Sequence, residues 1–246
     1  MKNRHIWISA TAILFFVFFI LQSQREKPEA KDAKAYLALG NSYFNGSAGY
    51  NVAKAEEAFK KAVLADPKIT YGHYQLARVY FIEKKNSEAL SAINKELEIN
   101  PENLRSLYVR GLIKAEIGDL SGAEDDFRRF AQWMPKEWSG WNDLSWILMK
   151  ETKYKEAEAE VRSAFANAIG ADTNPWLWNH LGLALLNQKK YGEAEKVFLR
   201  AKELVGKLTV KEWQAAYPGN NHKSAADGLG AFGRAVDFNL EQSRLK

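Results

Sequence analysis

The stretch AEEAFKKAVLADP, Ala55 to Pro67, decides the fold, because its first alanine, its phenylalanine and its proline all return at a fixed interval. Ala55, Ala89, Ala123 and Ala157 are each 34 residues apart, and Ala194 follows after 37. Four residues beyond each stands a large apolar side chain: Phe59, Ile93, Phe127, Val161 and Phe198. Positions i and i+4 share one face of a helix, so each pair marks a small-large step on a buried stripe. Pro67, Pro101 and Pro135 keep the same spacing and close each unit, because proline lacks the N–H that a continuing helix needs. Upstream runs a second series: Tyr36-Leu39-Gly40-Tyr43, His73-Leu76-Ala77-Tyr80, Leu107-Arg110-Gly111-Lys114, Trp141-Leu144-Ser145-Leu148 and Trp178-Leu181-Gly182-Leu185. Small residues at its third place let two helix backbones approach.

A 34-residue period with W-x-x-L-G-x-x-Y followed by A-x-x-x-F and a closing proline resembles the tetratricopeptide repeat family. The resemblance covers residues 33–208, about 70% of the 246. It implies an all-α, right-handed α-solenoid of about five helix pairs, in units 33–69, 70–103, 104–137, 138–174 and 175–208. One pair cannot bury its apolar face alone, so pairs must stack. Three departures stand out. The first unit carries three extra residues within NGSAGYNV, Asn45 to Val52, and the fourth carries three around Ile169 to Asn174 and has no closing proline. Polar Arg110 and Lys114 replace apolar signature residues in the third, which makes its packing the least defined.

Residues 209–246 read as capping helices: a short one over Thr209 to Tyr217, then one from Lys223 to about Ser243 with Ala225, Leu229, Phe232, Val236 and Leu240 on one face. Within it GLGAFG, Gly228 to Gly233, fits the glycine pattern of dinucleotide-binding loops. HKSAAD before it is no strand, and only 13 residues follow, too few for the acidic ribose ligand. Gly230 or Gly233 is expected instead to let this helix lie close to the fifth unit, or else the helix begins later than Lys223.

The segment Ile6 to Gln24 is uncharged over 19 residues, and as a helix it spans about 28 Å, close to a bilayer's apolar thickness. It reads as one transmembrane anchor, 6–24, after a tail of residues 1–5 and before a charged linker, 25–32. A cleaved signal peptide is the alternative, with a poor cleavage site at Leu21 and Ser23. Lys2 and Arg4 face Arg25, Lys27, Lys31 and Lys34 across it, which blunts the positive-inside rule. The expected location is a single pass in the cell membrane with the repeats on the extracytoplasmic, periplasmic side.

With no cysteine there is no disulfide, thiolate metal site or cysteine nucleophile. Four scattered histidines form no metal pairing, and the +5 net charge includes no basic block that would suit nucleic acid. Paired carboxylates such as Glu156 and Glu160 fit a solvated helix face. No catalytic constellation is readable, so no enzyme activity, cofactor, metal or small-molecule substrate is expected. Function then lies in the surface. In the family, first helices line a concave groove for peptides. Its groove positions fall here on Asn41, Phe44, Tyr71, Tyr74, Arg78 and Phe81, then on Arg105, Tyr108 and Leu112. They continue on Asn142, Trp146, Met149 and Lys150, and end on Trp176, Asn179 and Leu183. Aromatic, Asn and Arg side chains suit a peptide floor. The family's carboxylate clamp looks incomplete, since Leu37 stands where lysine is usual and Arg78 where asparagine is. The chain therefore reads as a membrane-tethered scaffold binding a partner peptide, with polar or anionic segments suiting its slight positive charge. An assembly or chaperone-like factor for translocated or envelope proteins is the alternative. Trp141 and Trp178 belong to the packing; Trp146 is the tryptophan best placed for a surface role.

Overall fold

The computed structural model describes residues 30–216 and 225–245, all of them in helices, turns and loops, with no strand among them. The expected anchor at 6–24, the tail at 1–5 and the linker up to residue 29 lie outside the described residues. Among the described residues no helix is long and apolar enough to cross a membrane. The described chain forms two compact units, the first ending at Gly72 and the second beginning at His73.

The first unit holds α1 (Ala30–Phe44) and α2 (Val52–Ala65), packed on each other. The helix begins inside the stretch expected to be linker, and Asp32 in its first turn suits the helix dipole there. Its core is Ala33, Phe44, Ala55, Ala58, Phe59 and Ala62. Gly40 lies against the Phe59 ring so closely that an added Cβ would overlap it. The three extra residues form a loop with Gly46 and Gly49 at φ 82°, and Asn51 then caps α2 by accepting from the Lys54 N–H at 2.9 Å.

The second unit pairs α3 (Gly72–Ile82, of which His73 onward belongs here) with α4 (Asn86–Ile99), α5 (Leu104–Glu116) with α6 (Leu120–Trp133), and α7 (Trp138–Lys150) with α8 (Tyr154–Asn167). A 3₁₀ turn at Ala171–Thr173 leads to α9 (Pro175–Asn187) and α10 (Tyr191–Val205), followed by α11 (Val210–Ala215) and α12 (Ala225–Arg244). From α4 onward each helix packs on the next as far as α10, and α7 also meets α9. The fourth unit's missing proline reappears at the first position of α9, as Pro175, behind an Asn174 cap whose side chain accepts from Trp176 N and Leu177 N.

Both signature tryptophans pack as expected. Trp141 and Trp178 each donate their indole N–H to a backbone carbonyl six residues earlier, Pro135 at 3.0 Å and Asp172 at 2.9 Å. The polar third unit is joined across its two helices by an ion cluster. Arg110 grips the buried Asp126 with Nε and Nη2 at 2.8 and 2.6 Å, and Lys114 reaches the same carboxylate at 2.9 Å. The two polar signature residues are thus matched by an aspartate from the opposite helix.

The C-terminal helices cap the array. α12 packs on α10, α9 and α11, and buries Val236, Leu240 and Ser243. α11 opens with Thr209, whose Oγ1 accepts from Glu212 N at 3.2 Å while the Glu212 carboxylate accepts from Thr209 N at 2.9 Å. One expectation is corrected. The close approach in GLGAFG is at Gly228, where a Cβ would stand 2.7 Å from Trp213 Nε1; at Gly230 and Gly233 an alanine methyl fits. Both helices of the cap, not the fifth pair alone, determine where glycine is required.

Candidate peptide-binding groove

In the second unit the first helices of successive pairs, α3, α5, α7 and α9, bring their facing side chains to one cavity of about 460 Å³. Phe81 comes from α3, and Leu112, Ala115 and Glu116 from α5. Asn142, Asp143 and Trp146 come from α7, Trp176 and His180 from α9, and Phe127 of α6 reaches the cavity as well. The 34- and 37-residue spacings put these residues on equivalent turns of equivalent helices. That explains why residues 99 positions apart meet at one place.

The polar groups form a connected set. Tyr108 donates its hydroxyl to Asp143 Oδ2 at 2.7 Å, and Asn142 donates its amide N–H to Oδ1 at 3.0 Å. Ser145 Oγ donates to the Asn142 backbone carbonyl at 2.6 Å, and His180 Nδ1 stands 3.2 Å from that oxygen and 3.1 Å from Ser145 Oγ. A carbonyl oxygen only accepts, so Nδ1 carries the imidazole proton and Nε2 is the acceptor nitrogen. Burial pushes the His180 pKa down to about 4 against the opposing pull of the Asn142 carbonyl, so the ring is neutral at pH 7.

Of the residues expected to form a groove, the cavity gathers Phe81, Leu112, Asn142, Trp146 and Trp176. Trp146, 37% exposed, also borders a smaller hollow of about 310 Å³ with Met149, Lys150 and Leu183. Tyr108 is buried and supports Asp143 from behind. Tyr74 and Arg78 lie along α3, the guanidinium 5.6 Å from the Tyr74 ring centre and Nη1 donating to Gln75 Oε1 at 2.9 Å. Arg105 is exposed and does not line the cavity. Asn41, Phe44 and Tyr71 belong to the first unit, where Phe44 is buried with its ring centre 6.4 Å from that of Phe59 and Tyr71 is exposed.

The chain itself covers one end of this floor. Trp176 stacks on Trp138 at 5.5 Å, on Trp213 at 5.6 Å and on Phe232 at 5.6 Å, the last two from the capping helices. Buried Asn179 accepts from Asn239 of α12 at 3.1 Å. The residues that the sequence reading missed are Ala115, Glu116, Asp143 and His180. Asp143 and His180 occupy the same place in their units, directly after Asn142 and Asn179. A change from Val109 to Asp143 to His180 down that column was the available signal. The polarity also differs from expectation: the lining contains two carboxylates and no lysine or arginine.

Residues 142–207 match the family model described as tetratricopeptide repeat, so this part of the second unit is tetratricopeptide repeat. Three solved structures share the fold of most of the chain. A crystal structure of MamA is 18% identical with a TM-score of 0.61, covering 72% of this chain and 93% of that one. YrrB, described as a TPR protein with an unusual peptide-binding site, is 16% identical with a TM-score of 0.59 over 86% and 96%. The structure of Pseudomonas aeruginosa pilF is 17% identical with a TM-score of 0.62 over 86% and 91%. Among curated proteins, human protein O-mannosyl-transferase TMTC3 is 30% identical over 137 residues, which are 54% of this chain and 14% of that protein. DnaJ homolog subfamily C member 3 of Rattus norvegicus is 26% identical over 160 residues, 64% of this chain and 31% of its own length. The chain thus spans less than a third of either curated relative.

Proposed function

We propose that this protein is an interaction scaffold rather than an enzyme, holding a peptide segment of a partner protein in the groove formed by α3, α5, α7 and α9. One observation carries the reading: Phe81, Leu112, Asn142, Trp146 and Trp176, which the family resemblance implies as groove positions, line a single cavity large enough for side chains of a bound segment. Aromatic rings give a peptide contact area at small entropic loss, and the buried polar set fixes orientation. The uncharged segment 6–24 would tether this module to the cell membrane, with the repeats on the extracytoplasmic side. YrrB, of the same fold, is described as having a peptide-binding site, which supports the class of ligand.

A photo-crosslinking amino acid at position 146 in the full-length chain tests this in cells, with position 199 of α10, exposed at 45%, as the control. The scaffold reading expects one constant partner captured from 146 and not from 199. Many unrelated clients captured from 146 would replace it with the chaperone-like reading; equal capture from both positions would defeat the groove itself. Protease protection in intact cells tests the topology: repeats degraded only after the membrane is lysed would reverse the extracytoplasmic assignment.

A further inference from the structure

We propose that the first half of α12 is a latch over the end of the groove, opening by local unfolding at its glycines while the second half stays docked. The proposal rests on the groove reading above, in that Trp176 is the groove position it covers. The two halves of α12 are held differently. In the second half Val236, Leu240 and Ser243 are buried, and Asn239 donates to Asn179 at 3.1 Å. Asp237 and Arg244 add ion pairs with Lys202 and Glu195 of α10, each at 2.7 Å. From Ala226 to Gly233, by contrast, no residue is fully buried. Aromatic contact holds this half: the Phe232 ring stacks on Trp176 at 5.6 Å and lies 5.5 Å from Trp213, and Gly228 lies against the Trp213 indole.

The same stretch contains three glycines, Gly228, Gly230 and Gly233, and packing accounts for one of them. At Gly228 a Cβ would meet the Trp213 indole at 2.7 Å. At Gly230 and Gly233 it would stand 3.4 Å from Arg234 Nη1 and 3.6 Å from Val205 Cγ1, ordinary contacts for a methyl group. Neither of these two has a positive φ. Glycine in a helix interior is about fivefold less favourable than alanine, so the pair weakens this stretch about twentyfold without a steric reason. That loss falls on the half that touches the groove and spares the half that anchors the helix. Helix ends held by few buried apolar contacts open locally while the rest of the fold stays intact. Trp176 lines one cavity together with Trp146, so a segment lying along that cavity competes with Phe232 for the Trp176 ring.

Hydrogen exchange of the full chain in lipid nanodiscs, read by mass spectrometry, tests the latch without any ligand. The amides of residues 229–233 are expected to be at least about tenfold less protected than those of 236–244. Gly230→Ala combined with Gly233→Ala is expected to raise protection at 229–233 about twentyfold and to leave 236–244 unchanged. Phe232→Ala is expected to lower protection at 229–233, because the ring stack holds this half closed. A photo-crosslinking amino acid at position 146 then reads the groove in cells. Capture of the partner is expected to fall at least about threefold in the double-alanine chain and to rise in Phe232→Ala. Equal protection of the two halves, no gain from the alanines, or no loss in Phe232→Ala overturns the latch. If exchange responds as expected but all three chains capture the partner equally, the groove stands and the latch does not guard it. If position 146 captures no partner in any chain, the groove and its cover fall together.

Discussion

A single methyl group sets how closely each helix pair closes. A Cβ at Gly182 or Gly40 would overlap Phe198 or Phe59, and one at Gly111 would stand 2.7 Å from Phe127 Cε1. Where the large partner is Ile93 or Val161, the small residue is Ala77 or Ser145, so the two columns share a fixed volume. Gly182→Ala is therefore expected to lower stability by about 1–3 kcal/mol, since Phe198 is fully buried. Adding Phe198→Ile, which copies the Ala77 and Ile93 pairing, should recover part of the loss in urea unfolding. The alternation was legible in the sequence because it follows the period. The turns inside the pairs were not: Lys84, Thr152 and Lys189 adopt φ near 60°, where the first and third pairs supply glycine, Gly46 at φ 82° and Gly118 at φ 85°. Nothing in lysine or threonine announces that conformation; the flanking helices impose it. Thr152 is exposed and β-branched, so Thr152→Gly should raise stability by about 1 kcal/mol, read as a shift in thermal midpoint.

At the scale of the element, the third pair shows how a broken pattern is repaired. Arg110 and Lys114 sit where apolar residues are usual, and Asp126 of α6 answers both from a site that is 2% exposed. The sequence reading saw the two cations as a defect because their partner lies on a different helix, 16 and 12 residues away. Asp126→Ala leaves two cations partly buried without their carboxylate and is expected to cost about 3–5 kcal/mol. Replacing Arg110, Lys114 and Asp126 together by apolar residues should be far milder, and a double-mutant cycle in chemical denaturation separates the two outcomes. The same limit hid the cavity's acids. The family resemblance implied the face that carries Phe81, Asn142 and Trp146, whereas Glu116, Asp143 and His180 enter through the precise rotation of one helix against the next.

For the whole molecule, acid separates two layers of stability. The His180 pKa is about 4 in the folded chain and near 6.5 when unfolded, so between those values the unfolded state binds more protons. Stability from this neutral ring is complete above pH 6.5 and is lost as the pH falls toward 4, on the order of 3 kcal/mol in total. Glu124, beside Lys153 and Arg128, and Glu158, beside Lys190 and Arg162, are both held at about 2, so their contribution begins to fade only below pH 4.5. Urea titrations from pH 7 to 4.5 are expected to show a decline that His180→Gln abolishes; a decline that persists in the variant would remove the histidine from the account.

The stacked rings of Trp138, Trp176, Trp213 and Phe232 have an optical consequence. Indoles about 5.5 Å apart and within 14° to 23° of parallel couple their electronic transitions. Their ultraviolet circular dichroism therefore belongs to the stack and not to the separate rings. Because Trp213 lies on a capping helix while Trp138 and Trp176 lie on the repeats, the Trp176–Trp213 part of that signal exists only while the cap is docked, and the Trp138–Trp176 part belongs to the repeats alone. The protein thus contains its own chromophore for the docking of its C-terminal helices, readable without any label.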